Sequence, residues 1–582
     1  MRTLQDWVYE VEAGSIRVWL VRSALFLFIT GLTTWIGLRE FNGLRTMEAM
    51  DLAQQARQLA TGKGFTTQFI RPLALWQLRA KHGNQSPSLS EFPETLTPPL
   101  YPSILSGLFR MGRALRVISF DIPPEKVKFF RVYSPDYVPL ALNLTAIVLS
   151  AFLVFLWGAR QFDFGVGVLA VVFLLGSSAL WDLAIQGGSS AFLVLLYAAA
   201  GWLFCGLLQI QDSGGENFSP AQEHLRAFCC GWVIALAPLV QLIQIWPCLV
   251  FLFVSSFCLR SQKWSLWLGA LIPLGISLAW MGRMWQVTGN PLGLNWAFFL
   301  ADSPNYPGNL VWRTFSYDVE KTDVWRRLTG SVLRGFSMIM AKGPMLCGAT
   351  LAGLLAVVSL MHPFRLKSAT HGKSIWGFVA FALILACSFV IRGEDQAGLS
   401  ILIVLLPVSC VYGAAFLWVC IERLKFQIEL LGMLLACFAG ILACWSTIAR
   451  LALPEPPPFS YPPNYPPIFV FMRSWFETGE LQSSDLPWAE SWYSNVPTLW
   501  IPSTREDFLK IHDRVNPVFS ILFTPMSSDV KMYSQMLGEN SEWNSWADLI
   551  RRQKPPDLPQ AFATSLPPNN DYLLLSTQKR WN

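Results

Sequence analysis

The residues most able to do chemistry lie between Arg45 and Pro72, directly after the first long apolar stretch. From Met47 to Thr61 the apolar side chains recur at helical spacing, which predicts an amphipathic helix. Two carboxylates, Glu48 and Asp51, fall on its polar side. A carboxylate in this position can take a proton from a hydroxyl group, as a general base does. The segment therefore predicts a surface at which a lipid-linked substrate meets an acid–base group.

A second interpretation of these residues stays open. An acid in the first turn of a helix, such as Glu48, is also favoured by the helix dipole, and Asp51 would then belong to an ordinary solvated face. If one of them is a base, its partner is a cation that stabilises a leaving phosphate. Lys63 and Arg71 are the nearby candidates, although each is also explained as a contact with solvent or with lipid headgroups.

The segment from Thr97 to Phe109 follows, with the sequence TPPLYPSILSGLF. Its Pro-Pro-Leu-Tyr-Pro turn predicts the start of another apolar helix, because proline is favoured in the first turn. Tyr101 in this turn is predicted to line a cavity beside the acids.

The composition is that of a membrane protein. The chain has 582 residues, of which 53% are hydrophobic and 14% charged, whereas a soluble protein carries about a quarter charged residues. About eleven apolar segments are predicted as spans, of which the fifth and sixth are short and could instead form a tight hairpin or a partly re-entrant element. They lie near residues 17–38, 139–157, 165–181, 191–208, 227–240, 243–259, 264–282, 344–361, 375–391, 397–420 and 428–449.

The distribution of Lys and Arg among the short loops predicts a cytoplasmic N-terminus. Two long loops, 39–138 (loop 1) and 283–343 (loop 2), and the C-terminus then lie on the outer side. Arg283 and Arg392 are predicted at the outer membrane edge, where lipid phosphates lie. Each could hold such a phosphate, or could simply extend its side chain towards the headgroups.

Several classes of function are disfavoured. The net charge is +6, but the basic residues are not clustered, so no nucleic-acid partner is expected. The predicted spans carry almost no ionisable residues at mid-depth, which argues against a proton-coupled transporter. The 11 cysteines lie in or beside apolar runs, and the five histidines form no metal motif. We therefore expect neither a metal nor a cofactor.

The character of the chain changes after residue 450. Residues 451–467 form a Pro-rich linker, and residues 468–582 are predicted to form a small extracytoplasmic α/β domain. The stretches PTLWIP and PVFSILFTP predict strands, and STREDFLKIHDRV predicts a helix capped by Ser503 or Thr504. The chain thus divides into a membrane domain, 1–450, a linker and this domain.

Four stretches resemble the GT-C superfamily of membrane glycosyltransferases, especially its protein O-mannosyltransferases and lipid A aminoarabinose transferases. MEAMDLAQQARQLATGKGF is similar to the acid-containing first loop of that family, and PPLYPSILSGLFRMG, NLTAIVLSAFLVFLWGARQFDFGVGVLAVVFLLGSSALW and WQVTGNPLGLNW follow in the family's order. The likeness covers roughly residues 15–450. It implies an all-α polytopic protein of the cell (inner) membrane with about eleven transmembrane helices.

The resemblance also implies a reaction. Such an enzyme moves a sugar, with inversion, from a polyprenyl-phosphate donor to an extracytoplasmic acceptor, which can be a lipid, a glycan or a protein. Asp51 or Glu48 would be the base. The phosphate would be held by Arg71, Arg283 or Arg392.

The sequence departs from the family at several polar positions. Met47 stands where the family often has the first of two acids, and Thr97 stands where a histidine often precedes Pro-Pro-Leu-Tyr. Ser190 occupies the place of a usual acid, with Asp182 the nearest substitute. These departures keep two alternatives open: a catalytically silent scaffold in a membrane complex, and a lipid flippase or transporter. The C-terminal domain could bind the acceptor or a partner protein.

Overall fold

The chain folds into a bundle of apolar helices followed by a smaller lobe of mixed helices and strands. This computed structural model describes residues 15–581 apart from 84, 86–87, 90, 122–131, 213–218, 260, 302–305, 307, 317–331, 342–350, 391–399, 425–428, 454–468, 470–471, 478, 525–543, 551–552, 554–556 and 567–571. The predicted linker therefore lies almost wholly outside the described residues.

The helices before the lobe are given in chain order. They are α1 (Ser15–Glu40), α2 (Met47–Ala60), α3 (Pro72–Lys81), α4 (Leu100–Ala114), α5 (Tyr137–Gln161), α6 (Phe164–Leu175), α7 (Ser178–Gln186), α8 (Ser190–Asp212), α9 (Pro220–Ala235), α10 (Ile245–Cys258), α11 (Lys263–Thr288), α12 (Leu310–Arg313), α13 (Val332–Ala341), α14 (Leu351–Met361), α15 (Lys367–Val390), α16 (Leu406–Arg423) and α17 (Glu429–Ala452).

Where the structure describes them, the apolar segments predicted from the sequence coincide with helical structure, whereas residues 344–350, 391, 397–399 and 428 of these segments lie outside the described part. Among the described residues, six helices are long and apolar enough to cross a membrane, or seven if the pair α6 and α7 forms one span. These two helices meet at a bend of 54°. Helices α10, α13 and α14 are apolar but shorter. The protein is thus a multi-pass membrane protein, and the count of eleven crossings stays a prediction.

The lobe contains helices α18 (Pro487–Tyr493), α19 (Arg505–Arg514) and α20 (Ala547–Ile550) and most of a six-stranded sheet. The strands are β1 (Phe69–Ile70), β2 (Leu481–Ser484), β3 (Thr498–Trp500), β4 (Val518–Phe523), β5 (Phe562–Leu566) and β6 (Tyr572–Ser576). The two stretches predicted as strands, PTLWIP and PVFSILFTP, contain β3 and β4. The predicted helix is α19, and its cap is Thr504, whose side chain accepts a hydrogen bond from the backbone N–H of Asp507.

The sheet joins the lobe to loop 1. Its strand order is β1-β3-β2-β4-β6-β5, with parallel pairing from β1 to β4 and antiparallel pairing from β4 through β6 to β5. The edge strand β1 comes from loop 1, about 400 residues before its neighbour β3 in the chain. Strand β1 has only two residues, which is too short a stretch for a strand pattern to be recognised in the sequence.

Arg57 on α2 strengthens the same junction. Its Nη1 donates to the carbonyl oxygen of Trp492 at 2.6 Å, and its Nη2 donates to that of Ser491 at 2.7 Å. The guanidinium also lies 4.9 Å from the centre of the Trp492 ring. Burial lowers the pKa of Arg57 to about 10, so it keeps its charge at neutral pH. Loop 1 and the lobe are therefore held together by the contacts of this charged side chain.

Glu490 on α18 makes the lobe sensitive to pH. Burial raises the pKa of Glu490 to about 8, from an ordinary 4.5, and the neighbouring Asp485 carboxylate adds to this rise. The folded lobe therefore holds a proton that the unfolded chain releases above pH 4.5. Stability from this proton is complete below about pH 4.5 and is lost as the pH rises to about 8.

We expect Glu490→Gln to flatten the fall in unfolding temperature between pH 5 and pH 8, because the amide needs no proton. The measurement is thermal unfolding of the detergent-purified protein across this range. Glu477→Gln, at an exposed acid of the same lobe, is the control and should keep the wild-type slope. An unchanged slope in Glu490→Gln would show that Glu490 titrates near its ordinary value.

Candidate functional site

Glu48 presents an accessible carboxylate at the start of α2. The helix begins there because the Thr46 hydroxyl accepts a hydrogen bond from the backbone N–H of Ala49. Glu48 is exposed, and its Oε1 accepts a hydrogen bond of 2.7 Å from the Ser189 hydroxyl. The Ser189 backbone N–H is 3.4 Å from the same oxygen. Ser189 thus holds one carboxylate oxygen of Glu48, while the Glu48 side chain stays accessible.

The turn that carries Ser189 needs a glycine. Gly187 ends α7 with φ at +90°, and a Cβ atom on it would lie 2.4 Å from Leu44 Cδ2. Asn143 holds the next residue, donating from Nδ2 to the Gly188 carbonyl oxygen at 3.0 Å. The Tyr101 hydroxyl in turn donates to Asn143 Oδ1 at 3.1 Å. Tyr101 is fully buried, so it supports the turn instead of lining an open cavity.

Gln241 extends this arrangement on the other side of Ser189. Its Nε2 donates to the Ser189 hydroxyl oxygen at 3.2 Å, so that Gln241, Ser189 and Glu48 form a chain of hydrogen bonds. The Gln241 Oε1 atom is buried without a hydrogen-bond partner among the described residues. Because this atom is closed to solvent, it is not exposed to a ligand in this conformation. We refer to Glu48, Ser189 and Gln241 as the Glu48 site.

Asp51, one turn further along α2, is in a different environment. Its side chain is buried, and Arg71 donates to its Oδ2 at 2.6 Å. Its Oδ1 accepts hydrogen bonds from Gln54 at 2.9 Å and Gln55 at 3.0 Å. The interpretation of Asp51 as a solvated surface residue is therefore wrong. Both of its oxygens are occupied by protein donors, which suits a structural role better than that of a base.

Arg71 is equally enclosed. It is 4% exposed, and its guanidinium lies 4.0 Å from the centre of the Phe69 ring. Arg71 precedes α3, whereas Asp51 lies on α2, so their ion pair fixes these two helices of loop 1 relative to each other. In this conformation Arg71 has no accessible face to offer a lipid phosphate.

Glu94 was not predicted, and it is a buried carboxyl in the same cluster. Its Oε1 accepts hydrogen bonds from the backbone N–H groups of Leu96 and Thr97, at 2.7 and 3.0 Å, and its Oε2 has no partner among the described residues. Burial raises the pKa of Glu94, and the nearby Asp51 carboxylate raises it further. The only sequence signal was an acid two residues before Leu96, in a turn leading to the Pro-Pro pair.

Arg283 contacts loop 1 from helix α11. Its Nη1 donates to the Glu94 carbonyl oxygen at 3.0 Å, and its Nη2 donates to that of Phe65 at 3.1 Å. The guanidinium also lies 4.6 Å from the centre of the Trp280 ring. These contacts use two of the five N–H groups of a partly exposed guanidinium. Arg283 therefore retains donors that a phosphate could use.

The remaining predicted residues do not join the Glu48 site. Lys63 is exposed in the turn after α2. Asp182 is half-exposed and forms an ion pair with Arg450, which also pairs with Glu40 at 2.5 Å. This network links α1, α7 and α17. Arg392 lies outside the described residues. In the part of the chain that the structure describes, His, Cys, Asp and Glu form no group of three or more suited to a metal ion.

The helical bundle, its polar first loop and the attached α/β lobe define a multi-pass membrane protein, as the sequence predicted. No protein-family model matches the chain, and no curated protein sequence is similar to it. Similarity is found instead with solved structures.

One such structure is ArnT from Cupriavidus metallidurans bound to undecaprenyl phosphate. It is 12% identical, with a TM-score of 0.51, and the match covers 97% of this chain and 99% of that one. The oligosaccharyltransferase AglB from Archaeoglobus fulgidus, in complex with an inhibitory peptide and a dolichol-phosphate, is also 12% identical. Its TM-score is 0.49, over 95% of this chain and 74% of that one. At this identity the match with ArnT establishes the fold.

Proposed function

We propose that this protein is an inverting glycosyltransferase that moves a sugar from a polyprenyl-phosphate donor to an acceptor on the outer side of the membrane. The observation that carries the proposal is the Glu48 carboxylate, accessible and held by Ser189 in a chain with the ArnT fold over nearly its whole length. ArnT binds undecaprenyl phosphate in that structure, which supports a donor of this chemical class.

The Glu48 site supplies the acid–base step. Glu48 takes the proton of an acceptor hydroxyl as the hydroxyl oxygen attacks the anomeric carbon. The bond between that carbon and the phosphate oxygen breaks, and its electron pair leaves with the polyprenyl phosphate. A single displacement of this kind inverts the anomeric configuration. Gln241 supports the base indirectly, because its Nε2 donates to the Ser189 hydroxyl oxygen that contacts Glu48.

The leaving phosphate needs donors, and Arg283 is the better placed of the described arginines that the sequence predicted. Its guanidinium is partly exposed and keeps unused N–H groups, whereas that of Arg71 is enclosed with Asp51. Arginine holds a phosphate through paired, charge-assisted hydrogen bonds. Asp51 and Arg71 are assigned to the framework of loop 1.

Sugar transfer by the purified protein tests the proposal. The protein is incubated in detergent with undecaprenyl- and dolichyl-phosphate sugars labelled in the sugar, together with membrane lipid, glycan and peptide acceptors. Labelled product that requires the protein supports the proposal. Complete absence of transfer with every donor and acceptor would contradict it.

Substitution of Ser189, which holds Glu48, is expected to lower the rate of sugar transfer less than substitution of Glu48 itself. Ser189→Ala removes a hydrogen bond to a charged group, which contributes roughly 1.5–3 kcal/mol, and about 1.4 kcal/mol corresponds to a tenfold change in rate. We therefore expect kcat to fall about tenfold or more. Ser189→Thr, which keeps the hydroxyl, should stay near wild type, as should Ser190→Ala next to it. Equal rates for all three variants would show that Ser189 does not hold the base.

Two features favour a second candidate, a catalytically silent scaffold. Asp51 is fully paired, and Thr97, in place of the histidine common in the family, accepts a hydrogen bond of 3.1 Å from Gln55. A scaffold would tolerate Glu48→Gln and Gln241→Leu without loss of cellular function. A flippase would instead move the lipid across a vesicle bilayer without any transfer of sugar.

A further inference from the structure

Helix α4 ends in an elbow, residues 110–121, whose surface combines apolar and basic side chains. Met111, Leu115 and Val117 are 56%, 66% and 73% exposed. Next to them, Arg113 and Arg116 are exposed as well. Single exposed apolar residues are ordinary on a protein surface, but three of them beside two arginines are typical of a segment that enters a membrane interface.

The backbone holds this elbow in one shape. The Gly112 carbonyl oxygen accepts hydrogen bonds from the N–H groups of Val117 at 2.9 Å and Ile118 at 3.4 Å. Arg116 adopts φ of +56°, in the left-handed region, and so turns the chain back after the helix. Ile118 is buried by this turn, whereas Val117 points outward. The exposed apolar residues are therefore presented by a folded turn.

A cavity of about 290 Å³ opens between the two arginines, lined by Arg113, Arg116, Ile118, Ser119, Phe120 and Asp121. Arg473 of the lobe forms an ion pair of 2.8 Å with Asp121. Among the described residues, Asp121 thus pairs with Arg473 and forms no ion pair with Arg113 or Arg116. A cavity with two guanidinium groups suits a phosphate-bearing group.

The elbow lies at the end of a membrane span. The Tyr133 hydroxyl donates to the Phe120 carbonyl oxygen at 3.0 Å, and Tyr133 directly precedes the apolar segment Ser134–Gln161. The exposed ring of Tyr137 marks the first turn of α5, where interfacial aromatic residues are expected. A phosphate that reaches the cavity from this level belongs to a lipid headgroup.

We propose that the α4 elbow inserts Met111, Leu115 and Val117 into the adjacent leaflet and binds the headgroup of an anionic phospholipid between Arg113 and Arg116. This contact is independent of the Glu48 site and of any sugar transfer. Apolar insertion and attraction between the arginines and anionic lipid act together, since each basic residue near such a surface adds to binding. The elbow thereby fixes the height of loop 1 above the bilayer.

Photo-crosslinking in nanodiscs tests this contact. The photoreactive residue benzoylphenylalanine is placed at position 117 of the full-length protein, or at Phe562, an exposed aromatic residue of the lobe, as control. The nanodiscs contain phosphatidylcholine alone or mixed with phosphatidylglycerol, and lipid adducts are identified by mass spectrometry. We expect adducts at position 117 but not at 562, with a several-fold preference for phosphatidylglycerol over its share of the mixture.

The preference must depend on the two arginines. In the variant with Arg113→Gln and Arg116→Gln we expect the preference for phosphatidylglycerol to disappear while adducts with phosphatidylcholine remain. A variant with Arg514→Gln and Lys579→Gln, which removes two exposed charges from the lobe, should keep it. No adducts at position 117 above the 562 control would overturn the insertion. A preference absent from the wild type, or unchanged by loss of both arginines, would overturn the headgroup site.

Discussion

Glu48→Gln is expected to lower the rate of sugar transfer by about 10²–10⁴-fold, the usual contribution of a general base. Glutamine has nearly the same shape and keeps an oxygen that can accept the Ser189 hydrogen bond, but it cannot take a proton. Because Glu48 is exposed and forms no ion pair with Arg71, the substitution leaves the buried contacts of loop 1 in place. The unfolding temperature should therefore stay near wild type.

The measurement is the initial rate of transfer from the labelled polyprenyl-phosphate sugar at saturating acceptor. Glu91→Gln, at an exposed acid of the same loop, is the matched control and should keep the wild-type rate. Full activity of Glu48→Gln would remove Glu48 as the base. If Asp51→Asn alone then abolished transfer in a stably folded protein, the base would have to be sought in the buried cluster.

Asp51→Ala is expected to have the largest effect on stability. The substitution leaves the Arg71 guanidinium buried without its carboxylate partner, and breaking a buried ion pair in this way costs about 3–5 kcal/mol. The amide groups of Gln54 and Gln55 lose their shared acceptor at the same time. Loop 1 should therefore lose its packing, and the unfolding temperature of the purified protein should fall clearly.

A double variant separates this effect from a catalytic one. With Asp51→Ala and Arg71→Met together, the unpaired charge is removed, so part of the lost stability should return. Glu94→Gln, which removes a neighbouring acid while keeping the shape of the side chain, is the control and should leave most of the stability. The structural role of the pair is excluded if Asp51→Ala unfolds with the wild-type midpoint, or if the double variant is no more stable than Asp51→Ala.

The local elements could be predicted from the sequence because their signals are local. Apolar runs predicted the positions of the bundle helices, and the helical spacing after Met47 predicted α2. Ser503 or Thr504, followed by acids in the first turn, predicted the start of α19. The four family-like stretches predicted the fold that the match with ArnT confirms. None of these inferences required knowledge of which distant segments meet.

The site was harder to predict, since its contacts join distant parts of the chain. Glu48 and Asp51 are three residues apart and look equivalent in the sequence, yet one is exposed and the other is enclosed by Arg71. Ser189 and Gln241 have no motif of their own: the turn after α7 brings Ser189 to Glu48, and the segment between α9 and α10 brings Gln241 to Ser189. The same holds for Glu94, whose burial no local pattern indicates.

Strand β1 has a consequence for how such chains can be altered. Because it supplies one edge of the sheet, and because Arg57 reaches the end of α18, removal of the tail would leave loop 1 with an unpaired β edge and an Arg57 guanidinium without its acceptors. A tail from a relative could be grafted here only as a cassette with its matching first loop. Evolution faces the same constraint, so the two stretches are expected to change in concert, although most of the chain separates them.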